Sequence, residues 1–162
     1  MKESVAHTTG AALGGLLATA GFATGLKYAN RLPQRLQPPR VNADPGEYIV
    51  RRVEDVLGRQ LPAVVHDKGA ALAHVGYGTA WPTVAAAFIP QVRPHTVGDV
   101  VVKGALLGAG VWAVSYVAAL PLTGLAVAAH KQPPTNMASS LVQHALWGIA
   151  ALTPAWLLGK IL

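Results

Sequence analysis

The stretch GALLGAGVWAVSYVAALPLTGLAVAAH (residues 104–130) contains no Asp, Glu, Lys or Arg. A helix crosses about 30 Å of hydrocarbon with about 20 apolar residues, whereas a long helix of a soluble protein shows a polar face. This stretch is long enough for the first and lacks the second. Working outward from it, residues 4–26, 69–92 and 132–159 are also free of those four residue types. Of 162 residues, 52% are hydrophobic and 12% charged, about half the ~25% charged fraction of a soluble domain. The expected fold class is an all-α integral membrane protein with four transmembrane helices in one domain, spans at about 9–28, 69–91, 100–126 and 138–160.

A secretory leader is the rival reading of the first segment, with Lys2 ahead of the apolar run and "ATA" at 18–20 as a cleavage-like site. The apolar character continues through Gly21 to Leu26, so a retained helix is expected. The chain has no cysteine, which excludes disulfides, thiolate-bound metals and a thiol nucleophile. The basic residues are segregated. Lys27, Arg31, Arg35, Arg40, Arg51, Arg52, Arg59, Lys68 and Lys131 lie in or beside the first and third loops, against Lys2, Arg93, Lys103 and Lys160 elsewhere. By the positive-inside rule loops one and three face the cytoplasm and both termini face out, into the periplasm of a bacterium. The pI near 10.0 then reflects topology and anionic lipid, and no nucleic-acid partner is expected.

Within this frame, Gly10, Gly14, Gly21 and Gly25 give span one a groove for close helix approach. The loop "RLPQRLQPPRVNADPG" is rich in proline and expected to be extended. Asp44 is placed to cap a short amphipathic helix over about 45–60 that begins with Pro45. In it Ile49, Val53, Val56 and Leu57 share one side, opposite Arg51, Arg52, Glu54 and Asp55. Such a helix lies on a membrane surface or against a partner. Pro82 predicts a bend in span two, Pro121 and Pro154 lie in spans three and four, and "KQPPTN" predicts a tight turn.

Two signatures recur. "GAALGG" at 10–15 matches "GALLGA" at 104–109, and "HVGYGTA" at 74–80 matches "HALWGIA" at 144–150 as His-x-x-aromatic-Gly-x-Ala. The chain therefore reads as two tandem hairpins, parallel to one another and related by an axis along the membrane normal. His74 and His144 fall about one and a half turns inside their spans, at one depth, each with a glycine four residues on along the same face.

The "PPR" after span one, the His that opens span two, "LPLTGL" ending span three and "QHALWGI" in span four, in that order, resemble the YagU-like family of bacterial inner-membrane proteins. The resemblance covers most of the chain, with a shorter first loop here, and rests on His74, His144, Trp147 and "PLTGL" at 121–125. It implies a small multi-pass inner-membrane protein and a contribution to acid tolerance, and carries over no catalytic residue.

Three functions fit the histidines. In the sharpest, His74 and His144 are the axial ligands of a b-type haem, each glycine leaving room for the porphyrin edge, with Arg59, Lys68 and Lys131 near the propionates and electron transfer, in some forms linked to quinone, as the outcome. In the second they relay protons or line a solute pathway, although no span offers Asp or Glu. In the third they are structural, with Tyr77 and Trp147 beside them at the membrane boundary. Elsewhere, His66-Asp67-Lys68 is expected as a helix-entry cap, and His7, His95 and His130 as solvated histidines. Ser115, Tyr116, Thr79 and Thr83 are expected as interhelical hydrogen-bond donors, and Ser139 and Ser140 as caps of span four. No metal site, phosphate loop, carboxylate pair or Ser/His/Asp arrangement stands out. The expected protein is a non-enzymatic accessory or scaffold subunit, with the lipid bilayer and other membrane subunits or copies of itself as partners.

Overall fold

A computed structural model describes residues 2–26, 28, 31–34, 37, 45–124 and 126–161. The expected Asp44 cap and most of the proline-rich loop lie outside them. Among the described residues the chain is all-helical, with five helices: α1 (Lys2–Leu26), α2 (Pro45–Leu57), α3 (Ala63–Phe88), α4 (Val97–Leu122) and α5 (Pro134–Ile161). Two of them, α4 and α5, are long and apolar enough to cross a membrane. Helices α1 and α3 are of similar length, at 25 and 26 residues.

Several boundaries differ from expectation for local reasons. Helix α2 stops at Leu57, not near 60, because Gly58 turns with φ 62, a left-handed backbone at which a helix ends readily. Helix α3 starts at Ala63 behind Pro62, so His66 lies inside its first turns and caps nothing. Helix α4 begins at a capping box, in which the Asp99 amide donates to Thr96 Oγ1 (3.0 Å) and Asp99 Oδ2 accepts from the Thr96 amide (3.2 Å). It ends at Leu122, short of 126, where Gly124 turns with φ 73. Pro121 has no N–H for the Val117 carbonyl and its ring crowds that group. The turns ahead of it, Ala113–Ala119, widen to π geometry, with the Leu120 amide bonded to the Ser115 carbonyl, which relieves the conflict. Helix α5 starts at Pro134, so Ser139 and Ser140 lie inside it rather than capping it. Helix α3 runs on through Pro82, which is buried beside Gly15 of α1.

The packing follows from the small residues. Helix α1 lies between α3 and α5, and α5 between α1 and α4, whereas α3 and α4 approach far less closely. A Cβ on Gly10 would sit 2.6 Å from the Pro154 carbonyl oxygen, and one on Gly14 would collide with the Ala151 carbonyl. One on Gly104 would sit 2.6 Å from Ile149 Cα, and one on Gly108 would collide with the His144 carbonyl. The pairing of 10 with 155 and 14 with 151, and of 104 with 149 and 108 with 144, makes α1 and α4 both antiparallel to α5. Gly15 and Thr19 against the Gly78 turn make α1 antiparallel to α3 as well. Backbones in contact at these distances gain dispersion and need no apolar solvent effect to associate.

Helix α2 docks on α3 by a face that the amphipathic pattern does not indicate. Gly46 abuts Ala70 and the His74 backbone, and Val50 is buried beside Gly69. The stripe of Ile49, Val53, Val56 and Leu57 stays exposed, Val56 to 88%. The anchor at the far end is Glu54, whose Oε1 accepts from the Leu61 amide (2.9 Å) and from His66 Nδ1 (3.0 Å). The His66 bond, then the Leu61 amide, hold this carboxyl below its ordinary value. A group depressed in the fold stabilises it above the ordinary carboxylate range, and that contribution disappears as pH falls through the depressed value. Amide exchange over residues 45–57, corrected for intrinsic rate, should hold constant from pH 7 to about 5 and quicken below about 4. In Glu54→Gln it should be fast at every pH. The exposed pairs Arg51–Glu47 and Arg52–Asp55 contribute little to this docking.

Candidate functional site

The four long helices meet around Trp147. Its buried ring forms a cluster with Ala18 of α1, Val111 of α4 and Ala151 of α5, against which Phe22 of α1, Tyr77 and Trp81 of α3 and Leu107 of α4 pack. The indole N–H donates to Thr19 Oγ1 on α1 (3.0 Å, buried). The other motif aromatic, Tyr77 on α3, exchanges a hydrogen bond with Ser115 Oγ on α4 (3.0 Å). Each aromatic thus bonds to the first helix of the other hairpin, and Tyr77–Ser115 bridges the two helices whose backbones stay apart.

The histidines sit one turn from these bonds. His144 Nδ1 donates to the Ser140 carbonyl (2.9 Å), which leaves Nε2 of the neutral ring as an acceptor. The Tyr116 ring stands edge-on to His144 (centroids 5.6 Å, 89°) and stacks on Trp112 (6.4 Å, 24°). Three side-chain atoms in this region are buried without a well-formed hydrogen bond: His74 Nδ1, Trp112 Nε1 and Ser140 Oγ, the last facing the Tyr116 hydroxyl. The π-helical segment that carries Ser115 and Tyr116 turns both toward this cluster. Chemically the cluster offers N–H and O–H donors and an imidazole acceptor. It offers no carboxylate, since α3 beyond Lys68 and α4 beyond Lys103 contain none.

The haem reading does not fit these residues. A porphyrin edge needs free space at each glycine four residues past its histidine. A Cβ on Gly148 would collide with the Gly104 carbonyl of α4 and sit 2.8 Å from the Gly108 amide. Gly78 is closed in the same way by the Thr19 side chain. The two glycines serve helix contact, and the room expected beside them is taken by the Thr19 side chain at Gly78 and by α4 backbone at Gly148.

Other expectations need correction. Ser115 bonds across helices as expected, but Thr79 and Thr83 donate back to carbonyls of their own helix, Val75 (2.8 Å) and Thr79 (2.7 Å). His7 is not solvated: it is 1% exposed, packed against Gly159 of α5. His95 on the α3–α4 connection joins it, with ring centroids 5.4 Å apart. Thr19 as the Trp147 acceptor, and the meeting of Glu3, His7 and His95, have no local signal beyond the four-residue spacing of Glu3 and His7. Compared with family models, with curated proteins and with solved structures, the chain has no match.

Proposed function

We propose that the chain is a four-span inner-membrane bundle of two parallel hairpins. It acts without catalysis of its own, as an accessory or scaffold subunit packed against other membrane subunits or copies of itself. Relationship to the YagU-like family, and a cytoplasmic position for loops one and three, belong to the same reading.

The observation that carries it is the distribution of apolar surface. Inner seams are closed by glycine and alanine backbone, while large side chains point outward on all four long helices: Leu17, Leu72, Leu106 and Leu146 are exposed. A water-soluble bundle does the reverse. Helices α1 and α3, at 25 and 26 residues, extend roughly 38 Å at ~1.5 Å per residue, enough for the ~30 Å core. The crosswise bonds Tyr77–Ser115 and Trp147–Thr19 support the tandem repeat. The uncovered stripe on α2 supports a docking role at the membrane surface.

Because the native chain has no cysteine, single-cysteine variants report topology cleanly. With Arg59→Cys, Gln91→Cys and His130→Cys, an impermeant maleimide should reach 91 from one side of the membrane, and 59 and 130 only from the other. Labelling of 59 and 91 from the same side would show that α3 does not cross. Protein extracted from its native membrane in mild detergent should travel with other chains at fixed stoichiometry. Migration as a lone monomer would remove the accessory role.

A further inference from the structure

We propose that Glu3, His7 and His95 form a binding site for a divalent first-row transition metal ion, of which zinc is the type. The site clamps the start of α1 to the α3–α4 connection. One ligand atom from each residue lies within 4.8 Å of the other two. His95 Nδ1 and Glu3 Oε1 are 3.6 Å apart. Ligand atoms at ~2.0–2.1 Å from a tetrahedral zinc are about 3.3–3.4 Å from one another. The trio therefore needs a contraction of about 1.5 Å or less, which the two solvent-facing side chains, Glu3 and His95, supply by rotation.

His7 supplies the stronger argument. Its ring faces two acceptors, with Nδ1 2.8 Å from the Glu3 carbonyl and Nε2 3.1 Å from the Pro94 carbonyl. A neutral imidazole donates one hydrogen bond, so in that form one nitrogen directs its lone pair at a carbonyl oxygen. A cation held by Glu3 and His95 gives that lone pair a partner once the ring turns it off the carbonyl, while the other nitrogen keeps its N–H on a backbone carbonyl. That is the usual support of a metal-binding histidine. The positions are also fixed in advance. Glu3 and His7 lie one turn apart on α1, Gly159 leaves room for the ring, and the His95 amide is tied to Asp99 Oδ2 of the α4 capping box (2.9 Å).

Two imidazoles and one carboxylate select zinc or its first-row neighbours over calcium or magnesium, which require more oxygen ligands. With three protein ligands, at least one coordination position is left to water. The bound ion joins the start of α1 to the α3–α4 connection, at the end of the bundle opposite α2.

The test is titration of the full chain, carrying no histidine tag and freed of metal by chelation, with Zn2+ alone by calorimetry in detergent. The wild type should bind one ion and show a raised thermal midpoint when it does. His95→Ala and Glu3→Gln, both at surface positions that leave the core intact, should each weaken binding at least tenfold and lose the midpoint shift. His130→Ala should match the wild type. Failure of the wild type to bind, or binding that survives His95→Ala and Glu3→Gln unchanged, would overturn the site.

Discussion

Leucine at Gly14 together with leucine at Gly108 should abolish the folded bundle. Each position has backbone, and nothing flexible, where a Cβ would go: the Ala151 carbonyl for Gly14 and the His144 carbonyl for Gly108. Both partners belong to α5, so the double variant opens both seams of the central helix. Over-packing at a single buried site costs about 1–3 kcal/mol, and a leucine that forces two backbones apart lies at or beyond the upper end of that range. Two such changes remove much of the ~5–15 kcal/mol that holds an ordinary domain folded. Size-exclusion chromatography and thermal unfolding in detergent should show aggregation in place of a single peak with a cooperative transition. Each single variant should be intermediate. Gly21→Leu and Gly110→Leu, at glycines with open space around the Cβ position, should behave as the wild type. If Gly14→Leu and Gly21→Leu were indistinguishable, the glycine seam would not hold the bundle.

The contrast between Gly14 and Gly21 also measures what can be read from a sequence. The four glycines of α1 have the same spacing signature, yet only Gly10 and Gly14 of that set lie in a seam, while Gly21 and Gly25 face open space. Spacing marks a smooth face of a helix, and the position of the partner helix decides which part of it is used. The same limit applies to α2. Amphipathic periodicity assigns its apolar stripe to the interface, but the helix docks through Gly46 and Val50 and leaves the stripe outside. Close backbone approach competes with apolar area as the basis of helix packing, and apolar periodicity alone does not show which face is used.

Two of the charge-free segments, those of α4 and α5, were legible as helices long and apolar enough to cross a membrane, because that length is a local property of the chain. The histidines were half legible. His-x-x-aromatic-Gly marked the region where all four long helices meet, and the aromatic and the glycine of each copy carry the packing. The room that the haem expectation assigned to Gly78 and Gly148 was not legible, because the volume beside them is set by α1 and α4, which neither motif contains. Glu3, His7 and His95 were illegible for a related reason, since 88 residues separate His7 from His95 in sequence (95 minus 7). Only the antiparallel course of α1 and α3 closes that distance.

Trp147→Ala should be the most damaging single truncation in the interior. The ring is buried where α1, α3, α4 and α5 converge, and large-to-small changes of this kind cost about 3–5 kcal/mol when neighbours do not collapse into the space. Collapse is hindered here because the glycine seams already hold α5 in backbone contact with α1 and α4. The polar part of the effect is separable. Trp147→Phe keeps most of the ring and leaves the buried Thr19 hydroxyl without its donor, while Thr19→Val removes the acceptor at nearly constant volume. A double-mutant cycle of the two, read as the free energy of unfolding in detergent, should give a coupling between ~0.6 and ~1.7 kcal/mol, the range from average to strongest for such bonds between membrane helices. The equivalent cycle of Tyr77→Phe with Ser115→Ala should give less, because that bond is only partly buried and spans helices whose backbones stay apart. Equal couplings in the two cycles would mean that the hairpins meet symmetrically. A larger value at Trp147 would place the decisive contact between them on α1 and α5, the pair already joined by the glycine seam.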